Sequence, residues 1–413
     1  VATQIGKAGP SSAGQAEAIM DRAALATSVT AVPASRIREI ADIAFSMEGV
    51  LKLYFGESDQ PTPDYIKEAA TRALAEGYTF YTENAGLPSL RKALAEKYRE
   101  LHQVDLDPGS EIVITSSGVQ ALNVGIRCAL DPGDEALLLT PAWPNGSAIV
   151  QMFNAIPRQV PMVLKDSRYE IDFDRLRSCL NPRTRLLLYT SPSNPLGWVA
   201  SRRDQEALLE FCRRHRLWLL ADEVYERLYY RGNVAPSILR LCDRDDAVVV
   251  VQSFSKTYCM TGWRLGWLVT RRDAARKATE LNEFVVSHAP AMAQKAGEVA
   301  LRDGESELES MRERLRDNLD FCRLALDAMP GVTLPEPLGA FYLFPRIEGL
   351  SDSFDFCRRF LLGKQVGFAP GVAFGAGGEG SVRLCYAADR EILREALVRL
   401  RTFLAEGGVT GAS

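Results

Sequence analysis

Histidine is scarce in this 413-residue chain. His102, His215 and His288 stand far apart, which argues against a metal centre built on imidazoles. None of the cysteines (Cys128, Cys179, Cys212, Cys242, Cys259, Cys322, Cys357 and Cys385) forms a C-x-x-C pair. Several lie in apolar stretches, so reduced core thiols are expected. Neither charge dominates: 49 basic against 53 acidic residues leave a net charge of −4, and nothing electrostatic speaks for nucleic acid. The cluster Arg213-Arg214-His215-Arg216 is short and reads as a solvated helix end. No apolar run is long enough to span a bilayer. The N-terminus has no basic region followed by an apolar stretch, as a secretory signal would. A cytoplasmic protein without metal, membrane or nucleic-acid partner is therefore expected.

What is present is the composition of an ordinary globular protein, long enough for two domains with cores of their own. The first thirty or so residues are rich in Ala, Gly and Ser and read as a loose arm. Ser35 then suits the N-cap of a helix through Ile40, and Leu51-Lys52-Leu53-Tyr54-Phe55 a strand ending at Gly56. Continuous apolar runs follow at 112–114, 136–139, 186–189, 217–221 and 247–251, alternating with helical spacing at 119–130 and 202–214. Continuous rather than alternating strands predict a mainly parallel sheet with helices on both faces, an α/β fold. A long polar-faced helical stretch over 273–328 comes next. Short strands at 332–334, 341–344 and 382–384 and helices near 353–362 and 390–405 then predict a smaller α+β domain. The expected division is an arm over 1–34, a segment over 35–62 joining the small domain, a large domain over 63–305 and a small one over 306–413. The tail from Gly407 is expected to fray.

Ligands of such sheets bind beyond the carboxyl ends of the strands, and each chemical motif falls at one. Lys256 follows the buried run 247–251 in Ser253-Phe254-Ser255-Lys256, with Arg264 eight residues on in Met260-Thr261-Gly262-Trp263-Arg264-Leu265-Gly266. An amine emerging there is desolvated, which lowers its pKa and makes it a nucleophile towards carbonyls. Two serines and an arginine around it resemble a phosphate site beside a Schiff base, and so point to pyridoxal phosphate (PLP). Asp222, in Ala221-Asp222-Glu223-Val224-Tyr225, suits a buried carboxylate under a pyridine nitrogen, with Tyr225 donating to a ring phenolate. The same string also reads as a strand ending in a helix cap. Ser116-Ser117-Gly118-Val119 is a strand-to-helix turn whose free N–H groups suit a phosphate, although many plain turns contain Ser-Gly. Trp143 fits a ring stacked on a flat ligand or an ordinary core indole. Asn194 fits an amide donor to a ligand oxygen or a plain Asn-Pro turn.

Taken in order, these strings resemble the class I/II aminotransferases of the PLP-dependent fold-type-I superfamily, across roughly residues 35 to 405. Further matching strings are Tyr78-Thr79-Phe80-Tyr81, Gly86-Leu87-Pro88-Ser89-Leu90-Arg91, Gly339-Ala340-Phe341-Tyr342, Pro370-Gly371-Val372-Ala373-Phe374-Gly375 and Val382-Arg383-Leu384-Cys385-Tyr386-Ala387. The resemblance implies an aminotransferase acting between an α-amino acid and a 2-oxo acid. It implies that Lys256 holds PLP as a Schiff base and then shuttles the substrate proton. Asp222 would pair with the pyridinium, Tyr225 and Asn194 would bond the phenolic oxygen, and Trp143 would stack on the ring. Ser117, Gly118, Val119, Ser253 and Arg264 would hold the phosphate, with Tyr81 from a neighbouring subunit of a homodimer. Arg383 would clamp the substrate carboxylate, helped by the backbone at Gly56.

The chain departs from the family pattern at Ser58, Leu196 and His288. Those departures keep open other fates on the same scaffold: β- or γ-elimination, replacement, cyclisation, decarboxylation or oxidation. Glu283 falls near the place where aspartate-specific members carry an arginine, which implies a basic or otherwise non-acidic amino acid. A solvent-facing Glu283 is the plain alternative. A regulator reusing the fold would be expected to add a DNA-binding module, and the N-terminal arm is too short and insufficiently basic for one.

Overall fold

Short runs of Val and Leu with no polar face suit strands covered on both sides, and here they build the centre of the molecule. The computed structural model describes residues 24–409, so most of the expected N-terminal arm and residues 410–413 of the expected frayed tail lie outside the described residues. Helix α1 (Arg36–Phe45) starts at Ser35, whose hydroxyl accepts from the Arg38 N–H at 3.3 Å. It leads into β1 (Leu51–Lys52). The main sheet is built from β2 (Ile112–Thr115), β3 (Glu135–Thr140), β4 (Ile156–Pro161), β5 (Thr184–Thr190), β6 (Trp218–Asp222), β7 (Val248–Ser253) and β8 (Gly266–Thr270). Their spatial order is β2-β8-β7-β6-β5-β3-β4. Only β8 runs antiparallel to its neighbours. Residues such as Leu187, Leu219, Leu220 and Val250 are fully buried. Each such side chain contributes about 1.5–3 kcal/mol relative to exposure.

Helix α2 (Gly118–Ala129) starts at the carboxyl end of β2, and α3 (Arg202–His215) opens with a Ser201–Asp204 capping box. The last turn of α3 carries Arg213, Arg214 and His215, the basic helix end expected from the sequence. The polar-faced helical stretch expected over 273–328 is made of three helices: α4 (Arg272–Val285), α5 (Ala291–Asp303) and α6 (Glu305–Asp327). Pro290 and Gly304 stand at the two breaks, where a missing N–H and a weak helix former interrupt the ladder.

Beyond α6 come a three-stranded antiparallel sheet of β9 (Tyr342–Leu343), β12 (Val382–Cys385) and β11 (Ala369–Pro370), with α7 (Ser353–Lys364) and α8 (Arg390–Ala405) packed beside it. Strand β10 (Val366–Gly367) pairs in parallel with β1 and so carries the N-terminal segment across the molecule. The strand expected over 51–55 is ladder-paired only at Leu51–Lys52. The carbonyls of Tyr54 and Gly56 are taken instead by Arg383 and Lys256. All eight cysteines are free thiols.

Strand β8 approaches the β2–α2 turn so closely that only glycine fits. A Cβ on Gly266 would lie 2.5 Å from the Gly118 nitrogen and 2.8 Å from the Gln252 carbonyl oxygen. These are backbone atoms, so relief requires the turn itself to move. Gly266→Ala is expected to cost about 1–3 kcal/mol, read as a lower urea midpoint of unfolding. An unchanged midpoint would show that the turn has slack.

Candidate active site

Three strand ends and one crossing segment converge on a cavity of about 430 Å³. Strand β6 delivers Asp222, β7 delivers Ser253 with Ser255 and Lys256 just beyond it, and β5 delivers Thr190. The turn into α2 contributes Gly118 and Val119; Trp143, Asn194, Tyr225, Arg264, Gly56 and Arg383 complete the set anticipated from sequence. Two anticipated residues do not line it. Ser117 turns its hydroxyl to its own helix, accepting from the Gln120 N–H at 3.2 Å. Tyr81 is 89 % exposed and meets the His288 ring edge-on, at 5.6 Å between centroids. Glu283 is exposed on α4 and does not line the cavity either.

Lys256 sits one turn past β7, and its Nζ donates to the Gly56 carbonyl at 2.6 Å. Burial pulls its pKa down to about 8, the guanidinium groups of Arg383 and Arg264 adding to the effect while Cys385 and Glu57 oppose it. Asp222 is buried in the same place and moves the other way, up to about 6, because burial outweighs its bond from the Val224 N–H and the nearby Lys256. Asp222 caps no helix; turn residues follow it. The Tyr225 hydroxyl pairs with that of Tyr342 at 2.7 Å, and burial raises both phenols.

Arg383 is 2 % exposed yet has no carboxylate partner among the described residues. It donates to Asn194 Oδ1 at 3.0 Å and to the Tyr54 carbonyl, lies 4.6 Å from the Tyr342 ring centroid, and leaves its Nε without a hydrogen bond. A buried cation so placed is costly unless an anion arrives. At the turn into α2, Ser117 has φ 110°, a backbone strain typical of ligand clamps. The first helical turn leaves N–H groups unbonded within the helix, and Gly118 and Val119 of that turn face the cavity. Arg264, also at positive φ, donates to the Thr261 carbonyl at 2.5 Å, and the Ser253 and Ser255 hydroxyls bond each other at 2.9 Å.

Sequence reasoning passed over Arg38, Glu57, Thr190, Thr261 and Tyr342 as site residues, all of which line the cavity. Tyr342 was quoted in a matching string and carried a signal; Arg38 lies far from every strand-end motif and carried none.

The family model described as aminotransferase class I and II matches residues 48–400. The chain is 36% identical to aromatic-amino-acid aminotransferase 2 of Thermococcus litoralis, an alignment covering 93% of this chain and 99% of that protein. It is also 36% identical to an aspartate aminotransferase of Pyrococcus abyssi, over 91% and 97% of the two chains. Among solved structures, an aspartate aminotransferase of Thermus thermophilus superposes with a TM-score of 0.86 at 32% identity, covering 92% of this chain and 100% of its own.

The depressed Lys256 pKa has a chemical readout. Only the neutral amine attacks, so labelling of Lys256 by trinitrobenzenesulfonate in cofactor-free protein should rise with pH, pass its midpoint near 8 and level off above it. A midpoint near that of ordinary lysine, 10.5, would contradict the burial argument.

Proposed function

The chain belongs to the class I and II aminotransferases, and from that premise we propose that it moves an amino group between an α-amino acid and a 2-oxo acid on PLP held by Lys256. The observation that carries this reading is the pairing, in one cavity, of a buried amine of lowered pKa with a buried carboxylate that makes no ion pair among the described residues. The residues fit the cofactor. A protonated pyridine nitrogen would give Asp222 a directly paired cation and keep that carboxylate ionised. The first-turn N–H groups at Gly118 and Val119, with Arg264 and Ser253, suit a phosphate, and Ser117 shapes that turn. Asn194 accepts from Arg383 through its carbonyl, so its amide N–H groups remain to donate, and Tyr225 lines the same cavity. Trp143 offers an indole face to a flat ring.

When bound, PLP supplies an aldehyde carbon for the amine and a pyridinium sink for electrons. The rest is done by the chain. Arg383 takes the substrate α-carboxylate, which relieves its own unpaired burial. Lys256 Nζ, partly neutral near pH 8, takes the substrate α-proton and returns it elsewhere on the reacting unit.

A homodimer belongs to the same reading. Phe80, Tyr81 and Phe284 are 81, 89 and 85 % exposed, large apolar groups that a second copy would cover, with Tyr81 reaching the partner's cavity. So does the division into a large domain over 63–305 and a small one over 306–413, with 35–62 joining the latter. Its support is that every main-sheet strand lies between Ile112 and Thr270, whereas β1 pairs with β10. A cytoplasmic address is also part of it; among the described residues no helix is long and apolar enough to cross a membrane.

The test follows nitrogen. With PLP, a ¹⁵N-labelled donor amino acid and a 2-oxo acid, the label should appear in the new amino acid in equal amount to donor consumed, and Lys256→Ala should lower kcat by at least about a thousandfold. Release of the label as ammonia would overturn transamination in favour of elimination.

A further inference from the structure

Three consecutive residues of the crossing segment each hold one cation of the cavity. The Tyr54 carbonyl accepts from Arg383, the Phe55 ring lies 5.6 Å from the Arg38 guanidinium carbon, and the Gly56 carbonyl accepts from Lys256. An extended chain rises only about 3.3 Å per residue, so the three are anchored close together. Lys256 marks where the reacting carbon must come, and Arg383 marks the α-carboxylate. Arg38 has no assignment.

Its surroundings point to an anion. Arg38 lies at the exposed edge of the cavity, fixed by the first turn of α1. Among the described residues its guanidinium has neither a carboxylate nor a hydrogen-bond acceptor, and its contact is the Phe55 ring. Packing against a ring holds a guanidinium flat and leaves its edge donors free for two-point recognition of a carboxylate. The acids lining the cavity are Glu57 and Asp222. Glu57 already accepts from the Thr261 hydroxyl at 3.1 Å, and Asp222 lies at the cofactor end. With Arg383 occupied by the α-carboxylate, a basic side chain would therefore meet the unpaired Arg38 guanidinium and be repelled.

We propose that Arg38 recognises the distal carboxylate of a dicarboxylic substrate whose α-carboxylate sits on Arg383. This rests on the transamination reading and names its substrate class, in place of the basic side chain expected from Glu283. Arg38 is then the specificity residue, reading side-chain charge while taking no part in proton transfer.

The experiment compares succinate with propionate, ligands without an amino or oxo group, by calorimetric titration of the PLP-loaded protein. Wild type should bind succinate roughly tenfold to hundredfold more tightly, the range expected for one charged hydrogen-bonded contact. R38Q should lose that preference with propionate affinity unchanged, R38K should keep part of it, and thermal midpoints should confirm that all three fold. A wild type indifferent to the second carboxylate, or a preference retained in R38Q, would overturn the proposal. Because neither ligand reacts, a failed ¹⁵N transfer with the preference intact would sink the reaction and spare the recognition.

Discussion

The 2.6 Å hydrogen bond from Lys256 Nζ to the Gly56 carbonyl is the constraint on which the rest of the cavity depends. It joins two parts of the chain 200 residues apart. The parallel pairing of β1 with β10, extended by the Leu53 N–H to the Gly367 carbonyl and the Cys385 N–H to the Leu53 carbonyl, lays Tyr54–Gly56 over the strand ends. Once there, that segment gives up its own ladder and spends its carbonyls on side chains. The result is an amine shielded from water, and shielding is what lowers its pKa. Free in solvent, the same lysine would be almost wholly protonated and inert near neutral pH.

The same enclosure acts on charges of both signs. Asp222 is driven towards its neutral acid while Lys256 is driven towards its neutral amine, and Arg383 stays buried with an unused donor. Each is costly alone, and on the proposed function each would be relieved by a particular ligand group: a protonated ring nitrogen, an aldehyde, a carboxylate. The close backbone approach at Gly266 and the turn at Ser117–Gly118 belong to the same design, because they place a helix start against the carboxyl end of β7. With Arg38 at the edge, the cavity favours a ligand carrying negative charge at both ends.

Much of this was legible in the sequence because burial on both faces leaves a simple signature. The runs at 136–139, 186–189, 217–221 and 247–251 each became a central strand. Strand β4 escaped because it carries two prolines with Arg158 and Gln159, tolerated where it runs along the sheet edge. Strand β8 escaped because its five residues, Gly266–Thr270, directly follow the arginine motif and its antiparallel direction breaks the β-α alternation. At the site, residues at strand ends could be found from the strands themselves. Arg38 could not, since its place depends on a segment folding back through β1 and β10, a pairing that local pattern does not encode.

The central claim is that Lys256, and no other lysine, is the amine that meets the cofactor. Incubating the protein with PLP, reducing with borohydride and mapping the peptides by mass spectrometry tests it directly. The account predicts a stable pyridoxyl group on the peptide containing Lys256, at one per chain. A label on a different lysine, or none after reduction, would contradict it.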